Sequence, residues 1–193
     1  KTIVIIISFI FFLEHIAYSL PNYTLRKPLD FGNRDNRPAI FPSSLKQYLL
    51  DKNKGHEDAV QQIESIWETN EKILLEIGCG DAEIALKIAD TNKNLGVIAT
   101  DLFESHGTGI NHPEYGLYEA RWENRELSGQ KIPLLPNLAI AKTDIDILEK
   151  IPDHSLDYIL VVNPDEDDVM WELFGQLGLI QRKLKYGGQF IIK

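Results

Sequence analysis

The sequence is short of cysteine and of cations. One cysteine, Cys79, stands alone, and 20 Lys and Arg face 29 Asp and Glu, for a formal net charge of −9. A single cysteine excludes an internal disulfide and is useless by itself as a metal site. The five His are scattered without metal-ligand spacing, so no metal is expected. The acidic balance argues against an extended nucleic-acid surface, because phosphate contacts need clustered Lys and Arg. The apolar run from Ile3 to Leu13 is too short to span a bilayer. What is left is a chain of 193 residues, 44% hydrophobic and 25% charged, which is enough for one globular domain with a full core.

The most informative stretch runs from Lys72 to Ala89. Ile73, Leu74, Leu75 and Ile77 form a short run apolar on both faces, as in a buried parallel strand. Ile84, Ala85, Ile88 and Ala89 then fall on one face of a helix. Gly78 and Gly80 lie between, where they allow a tight turn and a close approach of ligand to bare backbone. Strand, glycine turn and helix together open a nucleotide-binding α/β unit, with free backbone N–H groups expected at the helix end. An ordinary strand–turn–helix that binds nothing is the bland alternative.

Acids around the turn narrow the ligand. A dinucleotide fingerprint requires a third glycine where Glu83 stands, so an NAD-dependent oxidoreductase is disfavoured. Glu76 at the strand end and Asp81 after the second glycine would repel a pyrophosphate and suit a positively charged ligand without phosphate. In these residues the chain resembles motif I of the class I S-adenosylmethionine-dependent methyltransferases. The resemblance implies S-adenosylmethionine as cofactor, with its sulfonium and ammonium near Glu76, Gly78, Cys79, Gly80 and Asp81. Cys79 itself fits a structural use, since the turn needs a small side chain there.

Residues 1–19 read as a secretory signal peptide: Lys1, the apolar run, and the small-x-small site Ala17-Tyr18-Ser19. The alternative is an apolar N-terminal strand or anchor. A signal predicts export, to a periplasm or the outside, with no stable membrane span after its removal; otherwise the protein is cytoplasmic. Residues 20–55 are expected to form an irregular arm, Pro-, Asn- and Asp-rich up to about Ser44, with one or two helical turns at Leu45–Leu50. The methyltransferase domain is expected over residues 56–193. A helix at His56–Asn70 turns Ala59, Ile63, Ile66 and Trp67 to one side.

Further strands are expected at Gly96–Thr100, Leu138–Ala141, Leu156–Val162 and Gln189–Ile192. Helices are expected at about Ala82–Asp90, Ile145–Lys150 and Val169–Lys185. The last would carry Trp171, Phe174, Leu177, Ile180 and Leu184 on one face, and Tyr186-Gly187-Gly188 would stop it. Tyr118–Leu127 reads as a short helix inside a poorly patterned region. Strands alternating with helices predict a Rossmann-like, doubly wound, mostly parallel sheet, the class I methyltransferase fold. The chain reads as truncated after its fifth strand, where that fold usually adds a helix and a strand pair.

In such sheets ligands sit outside the carboxyl ends of the strands. Asp101, some twenty residues past the glycines and followed by Leu102, is placed to hold a ribose diol; a helix cap is the other use for it. Asp144, followed by Ile145, either contacts the adenine end, as the resemblance implies, or caps the next helix. Asn163 and Asp165, after the fourth strand, would face the methyl acceptor, and Asp165 is the only candidate base there.

Within the class, the second half of the chain is most similar to the bacterial tRNA (guanine-N7) methyltransferases, over Ile73–Ala89, Gly96–Glu104, Asn137–Asp165 and Leu184–Lys193. Ile151-Pro152-Asp153-His154-Ser155-Leu156-Asp157 is the most similar segment. This implies tRNA as acceptor, and cofactor contacts at Glu76, Asp101, Asp144 and Asp165. That family follows its Pro-Asp with Pro-Trp and a basic run; here Glu166, Asp167 and Asp168 follow. Asn163-Pro164 also opens like the Asn-Pro-Pro-aromatic motif of amine methylases, but Asp165 and Glu166 replace its second proline and ring. A small-molecule acceptor, or an inactive secreted relative serving as a binding module, are the alternatives.

Overall fold

A computed structural model describes residues 38–102, 126–127, 130–131, 135–162 and 174–192. The chain runs α1 (Ser43–Lys52), α2 (Glu57–Thr69), β1 (Lys72–Ile77), α3 (Glu83–Thr91) and β2 (Leu95–Asp101). It continues with β3 (Glu126–Leu127), β4 (Gln130–Lys131), β5 (Leu138–Lys142), α4 (Ile147–Lys150), β6 (Leu156–Val161), α5 (Leu177–Lys183) and β7 (Leu184–Ile192). Five strands form one sheet in the order β5-β2-β1-β6-β7, and every pairing in it is parallel. The order reverses between β1 and β6, which opens the crevice of a doubly wound sheet at their carboxyl ends. The fold is Rossmann-like α/β.

Period-two alternation splits the strand side chains between two apolar layers. Ile73, Leu75, Ile77, Ile98, Ala139, Ala141, Ile159 and Val161 pack on the face that carries α1, α2 and Ile180 of α5. Leu74, Val97, Ala99, Leu138, Ile140 and Leu160 pack on the opposite face with Ala85 and Ala89 of α3. A sheet covered on both sides needs strands apolar in both directions, which is why their sequences read as continuous runs. Small residues on α3 let it lie close to the sheet. Gly96 does the same for α2, since a Cβ there would come within 2.4 Å of Ile66 Cγ2.

Several boundaries differ from the sequence pattern. The helical turns expected at Leu45–Leu50 are a ten-residue helix, Ser43–Lys52, whose Leu45 and Leu49 are fully buried beside Phe41. Phe41 meets the Trp67 ring edge-on at 5.6 Å, and Trp67 Nε1 donates to the Pro38 carbonyl. The expected arm thus packs into the core from Phe41 onward. The helix expected from Ile145 begins only at Ile147. Glu126–Leu127, expected at the end of a helix, pairs with Gln130–Lys131 as an antiparallel ribbon.

The last helix ends at Lys183, because the carbonyls of Arg182 and Lys183 accept the N–H groups of His154 and Ser155. β7 therefore starts at Leu184 and passes through the Tyr186-Gly187-Gly188 segment as a bulge. Leu156 pairs with Leu184 but Tyr158 pairs with Gln189, and Gly187 takes φ +82°. Of the face expected on α5, Ile180 is buried while Leu177 is exposed. The expected leader (1–19), Trp122, Trp171, Asn163 and Asp165 lie outside the described residues. No helix among the described residues is long and apolar enough to cross a membrane.

Candidate functional site

Parallel strands bring the ends of β1, β2, β5 and β6 to one edge of the sheet. The register pairs Ile77 with both Thr100 and Val161, and Asp101 with Lys142. Glu76, Gly78, Cys79, Gly80, Asp81, Asp101, Leu102, Asp144 and Ile145 accordingly gather at that edge. β6 ends at the same edge and the described residues stop just past it, at Val162, so Asn163 and Asp165 lie outside them.

The glycine turn is wound left-handed. Gly78 (φ +71°), Gly80 (φ +53°) and Ala82 (φ +53°) all adopt positive φ. For Ala82 this is a strained position, stabilised by its N–H donating to the Cys79 carbonyl at 2.7 Å and by complete burial. A Cβ at Gly78 would meet no protein atom within 4 Å, so the backbone there is open to a ligand.

The N–H groups of this corner, expected to be free, are largely committed. Cys79 N–H donates to the Thr100 carbonyl at 3.0 Å, and Gly80 N–H donates to Asp101 Oδ2 at 2.8 Å. Glu83 N–H donates to Asp81 Oδ1 at 3.2 Å, and Ala85 N–H donates to the Glu76 carboxylate. Asp81 and Glu76 thus satisfy donors of the first helical turn that the capping residue Ala82, with no side-chain oxygen, cannot. A phosphate would need these same donors and would face three carboxylates.

Burial and charge act together on Glu76. It is 1% exposed, and its Oε2 is buried with no hydrogen-bond partner. Desolvation, reinforced by the nearby charges of Asp101 and Asp81, raises its pKa to about 7 against the pull of the Ala85 N–H. Burial pushes the Cys79 thiol well up too, with Asp101 and Glu76 adding to it, which disfavours the nucleophilic thiolate. The carboxylates of Asp101 and Asp81 thus lie close enough to Glu76 to act on it electrostatically.

Asp144 is held from the N-terminal side of the chain. Its Oδ1 accepts Tyr48 OH at 2.9 Å and Asp146 N–H at 3.0 Å, and its Oδ2 accepts Lys52 Nζ at 3.1 Å. Burial would raise its pKa, but the Tyr48 and Lys52 donors outweigh burial and lower it. The bond to Asp146 N–H closes a turn ahead of α4 and does not cap it, because Asp146 stands at that helix's N-terminal boundary and the helix has no side-chain cap; three of about four acceptor positions on the Asp144 carboxylate are filled. Ile145 is 8% exposed and packs in the core beside Asp144.

Sequence reasoning missed Tyr48, Lys52 and Asn53. Asn53 is buried: its Nδ2 donates to the Leu49 and Lys142 carbonyls, and its Oδ1 accepts Lys142 N–H at 2.7 Å. It stops α1 and fixes that helix against the carboxyl end of the edge strand β5. An Asn just after an apolar helix was a legible stop signal; its partner 89 residues away was not.

The segment Ile151–Asp157 lies at the other end of the sheet. Asp153 pairs with Lys183 at 2.7 Å, His154 stacks on Tyr186 at 5.0 Å, and Asp157 Oδ2 accepts Ile73 N–H at 2.9 Å. These contacts join β1, β6 and β7 at their amino ends, away from the crevice. Among the described residues no cluster of three or more His, Cys, Asp or Glu is placed to hold a metal ion.

No family model matches the chain. No curated protein matches it. Solved structures of similar fold include the aminoglycoside resistance methyltransferase NpmB1, 21% identical, with a TM-score of 0.43 over 69% of this chain and 60% of that one. Another is a variant of the 16S rRNA (adenine(1408)-N(1))-methyltransferase from Catenulisporales acidiphilia with cosubstrate SAM, 18% identical, TM-score 0.44, over 70% of this chain and 61% of that one. A third is precorrin-6y C5,15-methyltransferase from Geobacter metallireducens GS-15, 14% identical, TM-score 0.41, over 70% and 61%. The chain spans about three-fifths of the length of these proteins.

Proposed function

We propose that the chain is an S-adenosylmethionine-dependent methyltransferase. The observation that carries this reading is the commitment of the corner's N–H donors to Glu76, Asp81 and Asp101, beside an unpartnered buried carboxylate oxygen on Glu76. Such a corner suits a guest with positive charge and no phosphate. The residues present fit S-adenosylmethionine: Glu76, Gly78, Gly80 and Asp81 toward its amino-acid end, Asp101 and Leu102 toward the ribose, and Asp144 and Ile145 toward the adenine. When bound, that cofactor supplies a methyl group activated by a positive sulfur.

The chain's own work is alignment and exclusion of water. Methyl transfer is an in-line displacement, so positioning of the acceptor lone pair contributes more than any catalytic group. Asn163 and Asp165 are our candidates for facing the acceptor, with Asp165 available as a base where the acceptor must lose a proton.

For the acceptor, the similarity to tRNA (guanine-N7) methyltransferases supports guanine N7, which presents a lone pair and no proton. A second reading is favoured by the acids Asp165–Asp168 and the net charge of −9, which repel an RNA backbone. An exported protein, as the leader pattern implies, would meet small cationic metabolites instead. Incubation with methyl-labelled S-adenosylmethionine, total RNA and a small-molecule extract tests both. Label in tRNA supports the first and label in the small-molecule fraction the second. Transfer to neither, by a folded protein that binds the cofactor, leaves a binding module and refutes the enzyme.

A further inference from the structure

One oxygen in the corner is unaccounted for by the fold. Glu76 Oε2 is buried and takes no hydrogen bond, on a residue 1% exposed. A buried carboxylate left in that state costs free energy, and proteins usually avoid it by pairing or by protonation. Here the Ala85 N–H is the donor it has. The charged groups acting on it are Asp101 from the end of β2 and Asp81 from the glycine turn, with the Cys79 thiol alongside. All three are acids, so among the described residues no countercharge acts on Glu76 and the proton is its cheapest partner.

We infer that filling the glycine corner with a ligand that carries an ammonium group expels a proton from Glu76, so that ligand binding and Glu76 ionisation are one coupled event. This rests on the methyltransferase reading of the corner. Without such a ligand the O–H bond of the Glu76 carboxyl persists into the neutral range, consistent with a pKa raised to about 7 by burial and the neighbouring acids. The ligand's ammonium supplies the missing opposite charge, which favours the ionised form. The O–H bond then breaks, its proton passes to buffer, and the carboxylate accepts a charge-assisted hydrogen bond. By reciprocity, affinity for such a ligand weakens as pH falls below about 7.

Titration calorimetry with S-adenosylhomocysteine, in buffers of low and high ionisation enthalpy, counts the protons. At pH 7 a group of pKa about 7 is half ionised, so release of about half a proton per ligand is expected, declining toward none by pH 8.5. Methylthioadenosine, which lacks the amino-acid moiety, should release none, and Glu76→Gln should abolish the release from S-adenosylhomocysteine. A second readout needs no ligand. The carboxyl ionises near 4.5 in the unfolded chain and near 7 in the folded one, so the melting temperature of wild type should fall as pH rises between those values, and that fall should be smaller in Glu76→Gln. Binding of S-adenosylhomocysteine without proton release from pH 6 to 8 overturns the coupling and leaves the methyltransferase reading standing. No binding at any pH overturns both.

Discussion

Asp101 Oδ2 accepts the Gly80 N–H at 2.8 Å, and this bond fixes the glycine turn against the end of β2. The two residues are 21 apart in sequence, and the acid that the pattern assigns to a ribose is also the anchor of the turn. Asp101→Asn keeps an acceptor for Gly80 and removes the charge, whereas Asp101→Ala removes both. The Asn variant should melt close to wild type and bind S-adenosylhomocysteine about tenfold more weakly, ~1.4 kcal/mol. The Ala variant should also lose roughly 1–3 kcal/mol of stability, through the stranded N–H. Calorimetry and thermal melts separate the two effects.

Gly78 is tested in a different way. Its φ of +71° makes alanine costly by roughly 1–2 kcal/mol, yet a Cβ would meet no protein atom within 4 Å. Gly78→Ala should therefore still fold, with a modestly lowered melting point, while affinity for S-adenosylhomocysteine falls at least about tenfold, since a methyl group would occupy the ligand's approach. Unchanged affinity in a folded variant would move the ligand elsewhere.

Tyr48 couples the N-terminal helix to the third strand of the sheet order in sequence, β5. Its hydroxyl donates to Asp144, so the Thr143 hydroxyl at 2.8 Å donates to it. Tyr48→Phe leaves the ring in place and should cost about 1–2 kcal/mol at neutral pH, read from denaturant unfolding. Asp144 ionises below its ordinary 3.8 in the folded protein despite burial, because Tyr48 and Lys52 donate to it. That stability is present above pH 3.8 and is lost as pH falls through the folded value. Removing one donor raises the folded value, so acid unfolding should begin at a higher pH in the variant.

Gly96→Ala probes the packing of α2 on β2. The new methyl would sit 2.4 Å from Ile66 Cγ2 and 3.1 Å from Asn70 Cβ, against a fully buried Ile66. A loss of roughly 1–3 kcal/mol is expected, with the melting temperature falling and ligand affinity, measured below the transition, unchanged. The site lies at the other end of β2.

How much of this was legible depends on range. β1, β2, β5 and β6 were read within a residue or so, because a strand buried on both faces is continuously apolar and needs no partner to be recognised. The turn was read because Gly78 and Gly80 stand where a strand meets a helix. What the turn's N–H groups do was not, since Glu76 and Asp101 reach them through space and not through local pattern. Tyr48 and Asn53 were invisible for the same reason: their partners are 95, 96 and 89 residues away. The end of α5 was misplaced because Leu184 continues its apolar period, while the carbonyls that stop the helix are claimed by His154 and Ser155. Asp144, expected at the adenine or as a cap, does not cap α4, because that helix begins two residues later than its apolar pattern suggests, and its links to α1 are a use that no spacing announces.

In the proposed reading the glycine corner takes a phosphate-free guest that carries an ammonium group. The most direct test is a paired titration of the folded chain at pH 8, with S-adenosylhomocysteine in one cell and NADH in the other. Saturable 1:1 binding of the first in the micromolar range, −8 kcal/mol or so by the usual conversion at about 1 μM, with no heat from the second, is the predicted result. Binding of NADH, or of neither, would contradict it.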